Sequence, residues 1–279
     1  MASPLTKCKK CVSTRSATCT ASTKLNYLRD DPPNFGVTML DQVCTELAPN
    51  GVLRVGINLS NFLLVTGKSD NGQPQGVSPS MASEVARQLG VEVEYVTFKT
   101  PGELVDAASS DLWDIGLIGA EPARTQHIDF SAAYSEIEAT YLVPANSPIQ
   151  TIADVDQPGI RIAVPDRAAF ELWLTDNIQH AELHRAAGRQ AYDEFVSENM
   201  DALAGLRAGL INDVKKLPGS RLLDGKFTAV QQAIGTPKGR PAAADFLRTF
   251  VEEAKQTGLV ARLIEQFGVT GRLTVAPPA

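Results

Sequence analysis

Strand-like and helix-like patterns alternate in the first half of the 279-residue chain, and this alternation constrains the fold more than any other feature. Residues 52–58 form a short apolar strand pattern, and residues 79–89 carry apolar side chains at helical spacing. A strand pattern then covers 91–95, a helical pattern begins at Pro101, and the apolar run 113–118 has the length of one strand. Such a βαβα order predicts an α/β fold, with a mostly parallel sheet and helices on both of its faces.

The composition is that of an ordinary globular protein, with 43% hydrophobic and 21% charged residues. No apolar run in the sequence approaches the length of a membrane span. The formal net charge of −6 combines six basic and no acidic residues in 1–29 with 20 basic and 32 acidic residues in the remainder. An acidic body argues against nucleic acid as the partner, and the length suffices for one large or two modest cores.

Residues 1–38 are rich in Ser, Thr, Lys and Cys and show neither helical nor strand periodicity. We therefore predict that they form a disordered, basic N-terminal tail. They lack the apolar core of about 7–15 residues that a secretory signal needs, so the chain as written is expected in the cytoplasm. A transit peptide, or a true start at Met39, are alternatives that the residues leave open.

All four cysteines lie in the first sixth of the chain, at Cys8, Cys11, Cys19 and Cys44. They therefore cannot provide a disulfide framework for the main body. The first two form a CxxC half-site for zinc or redox chemistry, but the other two do not supply a second pair. His180 and His184 are four residues apart, with no carboxylate or cysteine at metal-ligand spacing beside them in the sequence. We therefore expect no metal site and no cofactor.

The stretch 113–134 reads WDIGLIGAEPARTQHIDFSAAY and places one arginine just beyond a buried strand. Gly119 ends the strand, and Glu121 with Pro122 suits the start of a short helical turn. Arg124 then follows the strand's carboxyl end by about one helical turn, which is where open α/β sheets bind ligands. A guanidinium group can hold a carboxylate through two parallel hydrogen bonds, so Arg124 is a candidate carboxylate-binding residue.

This stretch resembles the signature of the type II solute-binding proteins that feed ABC importers, in the amino-acid-binding branch called solute-binding protein family 3. There, a strand of the form D-hydrophobic-x-hydrophobic-x-G is followed by an arginine and then by I-D-F-[ST]-x-x-Y. The matching positions here are Asp114, Ile115, Leu117, Gly119, Arg124, Ile128, Asp129, Phe130, Ser131 and Tyr134. The resemblance covers about residues 50–270. It implies that Arg124 clamps the α-carboxylate of a ligand, with Gly119 among the ligand-binding residues.

The resemblance also implies a two-domain, periplasmic-binding-protein-like (type II) fold. Each domain would be a mostly parallel sheet flanked by helices, and two crossing strands would join them at 139–143 and 227–234. Domain 1 would then comprise residues 39–142 and 235–279, and domain 2 residues 143–234. Such a protein closes on its ligand by a hinge motion that contacts from both domains stabilise.

Further site residues follow from the same resemblance. Asn58 and Asn61 come after the first strand, whose end faces the ligand cleft in the family, and they could offer polar groups to a ligand. The loop 165–170 usually carries small residues in the family. Here it holds Asp166 and Arg167, which counts against ligand contact from this loop.

The stretch 204–209 departs from the family pattern. Amino-acid-binding members usually carry an aspartate there that holds the ligand's ammonium group, whereas this chain has no acid and gains Arg207. A cation repels an ammonium group and attracts a carboxylate. We therefore expect an anionic ligand, such as a dicarboxylate, gripped by Arg124 and Arg207. Glu138 on the crossing strand could instead reach the cleft and take an amino group, or it could be solvated.

The sequence therefore predicts a solute-binding protein for a small carboxylate-bearing ligand, an amino acid or an organic acid. No nucleophile elbow, HExxH or GxGxxG motif is present, which favours binding without chemistry. One alternative is a dehydratase-like enzyme on the same scaffold, with Glu121 or Glu138 as general acid. Another is a cytosolic ligand sensor. The family implies a monomer that works in the bacterial periplasm with an ABC transporter permease as its partner.

Overall fold

The computed structural model describes residues 39–279, so the predicted N-terminal tail and its three cysteines lie outside the described residues. The helices are α1 Met39–Leu47, α2 Val77–Leu89, α3 Pro101–Asp106, α4 Ala169–Asn177, α5 Gln190–Ser197, α6 Arg207–Val214, α7 Pro241–Gln256 and α8 Leu259–Gln266. Short 3₁₀ turns occupy Ala107–Ser110, Pro122–Gln126 and Ile152–Asp154. Within residues 39–279, no helix combines the length and the apolar character that crossing a membrane requires.

The strands that carry the fold form one mixed sheet. They are β1 Val52–Asn58, β4 Glu92–Phe98, β5 Ile115–Gly119, β6 Ile128–Val143, β7 Arg161–Pro165, β8 Glu182–Ala186, β9 Ala202–Leu206 and β11 Thr228–Pro237. Shorter strands are β2 Gly67–Lys68, β3 Pro74–Gln75, β10 Arg221–Leu222 and β12 Thr274–Val275. The spatial order is β4-β1-β5-β11-β6-β9-β7-β8, and β2 pairs with β3 apart from this sheet.

Two parallel groups flank a central antiparallel pair. Strand β1 runs parallel to β4 and β5, and β7 runs parallel to β8 and β9. Between the groups, β6 and β11 pair antiparallel over most of their length, from Ala139 opposite Thr228 to Ile128 opposite Pro237. The α/β class and the two crossing strands predicted from the sequence are therefore confirmed.

The core divides where the central pair passes between the two groups. Along β6, Ile137 belongs to one set of hydrophobic clusters and Ala139 to another. Along β11 the same change occurs between Val230 and Ile234. We call residues 39–137 with 234–279 lobe 1 and residues 139–230 lobe 2. The domain boundaries after residues 142 and 234 stay predictions.

A buried carboxylate anchors the amino end of β5 in lobe 1. Asp114 is 1% exposed and accepts hydrogen bonds from Arg54 Nε at 3.0 Å and Arg240 Nη1 at 3.0 Å. Asp111, which is 76% exposed at its side chain, pairs with the same two arginines. The aspartate that begins the family-like strand therefore has a structural role, at the end of the strand opposite to the cleft.

Candidate functional site

A cavity of about 350 Å³ lies between the two lobes. The three parallel strands of each lobe end at this cavity, and each contributes to its lining either its last residue or a residue of the loop that follows. These lining positions are Asn58, Lys99, Gly119, Pro165, Gly188 and Leu206. Because open α/β sheets bind ligands at the carboxyl ends of their strands, this cavity is the candidate ligand site.

Arg124 lies in the short helical turn after β5 and lines this cavity, as the sequence predicts. It is 3% exposed. Its Nη1 donates to the carbonyl oxygen of Gly119 at 2.8 Å, and its Nη2 donates to that of Arg167 at 3.1 Å. A guanidinium group has five donors, so these bonds use two of them. Burial lowers the pKa of Arg124 to about 10, which leaves the side chain cationic at neutral pH.

Gly119 fits its position because the two lobes approach each other closely there. A Cβ atom on this residue would lie 3.0 Å from Ala169 Cβ of lobe 2 and 3.0 Å from Val230 Cγ1 of the crossing strand. Either distance is shorter than ordinary van der Waals contact between carbon atoms. The glycine therefore permits the close approach of the lobes beside Arg124.

Asn58 and Asn61 line the lobe 1 side of the cavity. The Oδ1 atom of Asn58 accepts hydrogen bonds from the Ser60 N–H at 3.1 Å and the Ser60 hydroxyl at 2.8 Å. The Oδ1 atom of Asn61 accepts from the Leu63 N–H at 3.2 Å. Both carbonyl oxygens thus stabilise the loop after β1, and contact with a ligand remains a prediction for these residues.

Arg207 and Glu138 lie beside each other but do not line the cavity. Arg207 Nε donates to Glu138 Oε2 at 3.0 Å, and its Nη2 donates to the carbonyl oxygen of Gly225. Strand pairing explains the meeting, because Ala139 on β6 lies opposite Leu206 on β9. The predicted grip of Arg124 and Arg207 on one ligand is therefore not assembled here, since Glu138 holds Arg207 outside the cavity.

Sequence reasoning missed a charged pair on the lobe 2 side. Arg189 and Asp213 both line the cavity, and Arg189 Nη1 lies 2.5 Å from Asp213 Oδ1. The Arg189 guanidinium also stacks over the ring of Tyr192, with 3.8 Å between its Cζ and the ring centroid. The sequence did hold one signal: Asp213 lies four residues after Gly209, which places both on one face of α6. The cavity thus has an acid from this helix, though not in the stretch 204–209.

The loop after β7 contributes to the cavity and also bridges the lobes. Asp166 lines the cavity, and ligand contact from this loop, against which its charged residues count, stays untested. Arg167 instead reaches lobe 1, where its Nη1 and Nη2 donate to the Asp106 carboxylate at 2.8 and 2.7 Å. Its Nη2 also donates to the Gly102 carbonyl oxygen at 3.2 Å. We call this contact the Asp106–Arg167 bridge.

The two carboxylates offered as general acids do not line the cavity. Glu121 is 8% exposed, and burial raises the pKa of its carboxyl group, while the nearby charge of Arg124 opposes the rise. Glu138 is paired with Arg207 and also lies 3.5 Å from Lys226 Nζ. A general acid must reach the proton that it transfers, and neither carboxylate is among the residues that line this cavity.

The cavity combines charges of both signs with apolar walls. Its cations are Lys99, Arg124 and Arg189, and its carboxylates are Asp166 and Asp213. Apolar and aromatic lining comes from residues such as Phe62, Phe170 and Tyr192. Such a site suits a small ligand that carries a carboxylate and can carry a positive group as well.

The family model of bacterial extracellular solute-binding proteins, family 3, matches residues 53–270. No curated protein sequence matches the chain significantly.

Solved structures share the fold. An ancestral amino acid-binding protein, a precursor of cyclohexadienyl dehydratase, is 24% identical with a TM-score of 0.64, over 82% of this chain and 98% of its own. The solute receptor for L-cysteine of Neisseria gonorrhoeae is 20% identical with a TM-score of 0.67, over 84% and 99%. The substrate binding protein of an amino acid ABC transporter is 20% identical with a TM-score of 0.62, over 77% and 98%. The type II binding-protein architecture is therefore confirmed.

Proposed function

The chain belongs to the bacterial extracellular solute-binding proteins, family 3, and on that premise we propose that it captures a small amino acid in the cavity between its lobes. The buried, cationic Arg124 at the cavity wall carries this proposal. It would hold the α-carboxylate of the ligand by charge-assisted hydrogen bonds. Asp166, on the opposite lobe, offers negative charge to an ammonium group, whereas Asp213 already pairs with Arg189.

The proposed role is delivery to an ABC transporter outside the cytoplasm, with no chemistry performed on the ligand. The family is extracellular, and proteins with this fold include a solute receptor for L-cysteine and the substrate binding protein of an amino acid ABC transporter. Closure of the two lobes around the ligand would present a closed surface to the transporter. An organic acid ligand remains the alternative, since the cavity also holds three cations.

A thermal-shift screen of the amino acids and of small dicarboxylates identifies the ligand class, because a ligand that binds the folded state raises the melting temperature. Calorimetry with the strongest hit then tests Arg124. Two charge-assisted hydrogen bonds are worth about 1.5–3 kcal/mol each, so Arg124→Ala is expected to weaken binding by about 100-fold or more. Arg124→Lys keeps the charge but loses the paired geometry, and we expect an intermediate loss.

Arg207→Ala is the matched control, because Arg207 is a nearby arginine that does not line the cavity. The affinity of the Arg207→Ala protein for the ligand is expected to stay within about threefold of that of the wild type, because this substitution removes only an exposed ion pair. An Arg124→Ala protein that folds, as judged by circular dichroism, and binds with unchanged affinity would contradict the proposal. Turnover of prephenate above background would contradict binding without chemistry.

A further inference from the structure

A histidine and two glutamates converge on the outer part of lobe 2. His184 lies on the edge strand β8, Glu194 on α5, and Glu198 directly after α5. One ligand atom from each of the three lies within 4.8 Å of the others. From this convergence we propose a binding site for a divalent transition-metal ion, with zinc as the best fit, formed by His184, Glu194 and Glu198.

The fold explains why these residues meet although the sequence separates them. Glu198 caps the end of α5 four residues after Glu194, and this spacing brings both side chains to the same side of the helix. That side faces the edge strand, because His184 Nε2 lies 2.7 Å from Glu194 Oε2. A carboxylate therefore does stand beside His184, but it comes from the following helix rather than from the neighbouring sequence.

The distances suit a tetrahedral ion. Zinc binds histidine nitrogen at about 2.0–2.1 Å and carboxylate oxygen at about 2.0–2.2 Å, which sets neighbouring ligand atoms about 3.3 Å apart. His184 Nε2 and Glu194 Oε2 are 2.7 Å apart, and the ligand atoms of all three residues lie within 4.8 Å of one another, so the ideal separation falls within the reach of the group. Small side-chain rotations would admit the ion. Three protein ligands of the N, O and O type leave a fourth position for water.

The surroundings orient the ligands. Gln190 Nε2 donates to Glu194 Oε1, which turns the other oxygen, Oε2, toward His184. Arg161 Nη2 donates to the carbonyl oxygen of Glu198 at 3.1 Å and so fixes the end of α5. Outer hydrogen bonds of this kind hold metal ligands in place in known sites. His184 and Glu194 are 41% and 22% exposed at their side chains, so an ion from solution can reach them.

The simpler reading of the same contacts is an ion pair between a protonated His184 and Glu194. It accounts for the pKa of Glu194, which the hydrogen bond from His184 holds below its usual value. This ion pair gives no role to Glu198, whose carboxylate would stand beside the pair as a second negative group. A metal ion uses all three groups. None of the three residues lines the ligand cavity, so this site goes beyond the proposed function.

Zinc titration by calorimetry tests the proposal. The background is the full chain with Cys8→Ser, Cys11→Ser and Cys19→Ser, because the CxxC pair could bind zinc by itself. We expect one saturating equivalent of zinc and a rise in melting temperature.

Single substitutions then locate the site. His184→Ala and Glu198→Gln are each expected to lower zinc affinity at least tenfold, as even outer-shell changes do in known sites. The matched controls are His180→Ala, an exposed histidine four residues away, and Asp193→Asn, an exposed acid on the same helix. Both controls should stay within about twofold of the background, as expected of residues that bind no metal.

Two results would overturn the proposal. One is the absence of saturable zinc binding to the background protein, which would leave an ion pair only. The other is binding that His184→Ala and Glu198→Gln both leave unchanged. Glu198 is exposed, so Glu198→Gln is expected to fold normally and keeps the test decisive if His184→Ala does not.

Discussion

Replacing Asp106 by asparagine is expected to shift the ligand-free protein toward an open cleft. The Asp106–Arg167 bridge joins lobe 1 to lobe 2 through two hydrogen bonds of 2.7 and 2.8 Å. Because the lobes are linked by β6 and β11, rotation about these strands would separate the two side chains. The bridge therefore stabilises the closed arrangement and contributes nothing to the open one.

The exposure of both side chains limits the size of this effect. The Arg167 side chain is 47% exposed and that of Asp106 is 63% exposed, so solvent and salt screen their attraction. Exposed ion pairs contribute about 0.2–1 kcal/mol, and the paired geometry favours the upper end of that range. A change of about 1 kcal/mol corresponds to about a fivefold change in the ratio of closed to open molecules.

The pH dependence of the bridge has a definite sign. Hydrogen bonds from Arg167 hold the pKa of the Asp106 carboxyl below its usual value. A carboxylate whose pKa is lowered in the closed form stabilises that form above its ordinary pKa of about 3.9. The stabilisation is then lost as the pH falls through the lower, closed-form pKa. Closure should thus be insensitive to pH between about 5 and 8 and weaken in acid.

Small-angle scattering, or energy transfer between a dye on each lobe, measures the closed fraction without ligand. The matched control is Asp245→Asn, which removes an exposed pair with Arg248 inside α7 and away from the cleft. We expect the Asp106→Asn protein to be more open and less sensitive to salt, and the control to match the wild type. An equal shift of the closed fraction in both variants, or no shift in either, would contradict a closing role for the bridge.

Two further substitutions test the packing around the site. Asp114→Asn is expected to lower the free energy of unfolding, measured with urea, by about 3 kcal/mol, because Asp114 is 1% exposed and paired with two arginines. The control Asp111→Asn should lower this free energy clearly less. Gly119→Ala is expected to weaken the binding free energy of the ligand by about 1–3 kcal/mol, because the Cβ of the new alanine would lie 3.0 Å from atoms of Ala169 and Val230. Equal urea curves in the first case, or unchanged affinity in the second, would contradict these accounts.

Periodicity predicted most of the fold because most elements bury one clear face. The helix predicted at 79–89 is observed as Val77–Leu89, and the helix predicted to begin at Pro101 is observed as Pro101–Asp106. The long crossing strand β6 is the exception. The sequence predicted that it begins at Ala139, whereas it begins at Ile128. Its burial does not alternate regularly, and its register against β11 shifts at two points. A strand with such irregularities lacks the period of two that sequence reasoning detects.

The site was predictable where local sequence positions it and not where tertiary contacts do. Arg124 and Gly119 follow from a strand that ends at the cleft. Arg207 lies outside the cavity because it pairs with Glu138. These two residues are 69 positions apart in the chain, so no local sequence pattern reveals their pairing. Arg189 enters the cavity because helix α5 packs behind strands β7 and β8, and that packing is also invisible in the sequence.

The burial of Arg124 connects ligand binding to closure. A buried cation is unfavourable unless it is hydrogen-bonded or paired, and the lowered pKa of Arg124 reflects this cost. One of its hydrogen bonds goes to Arg167 of lobe 2, so that bond forms when the lobes are together. A ligand carboxylate beside the guanidinium would offset the cost in the same arrangement. Closure should therefore favour anionic groups at Arg124, while the Asp106–Arg167 bridge sets how much of the protein is closed before a ligand arrives.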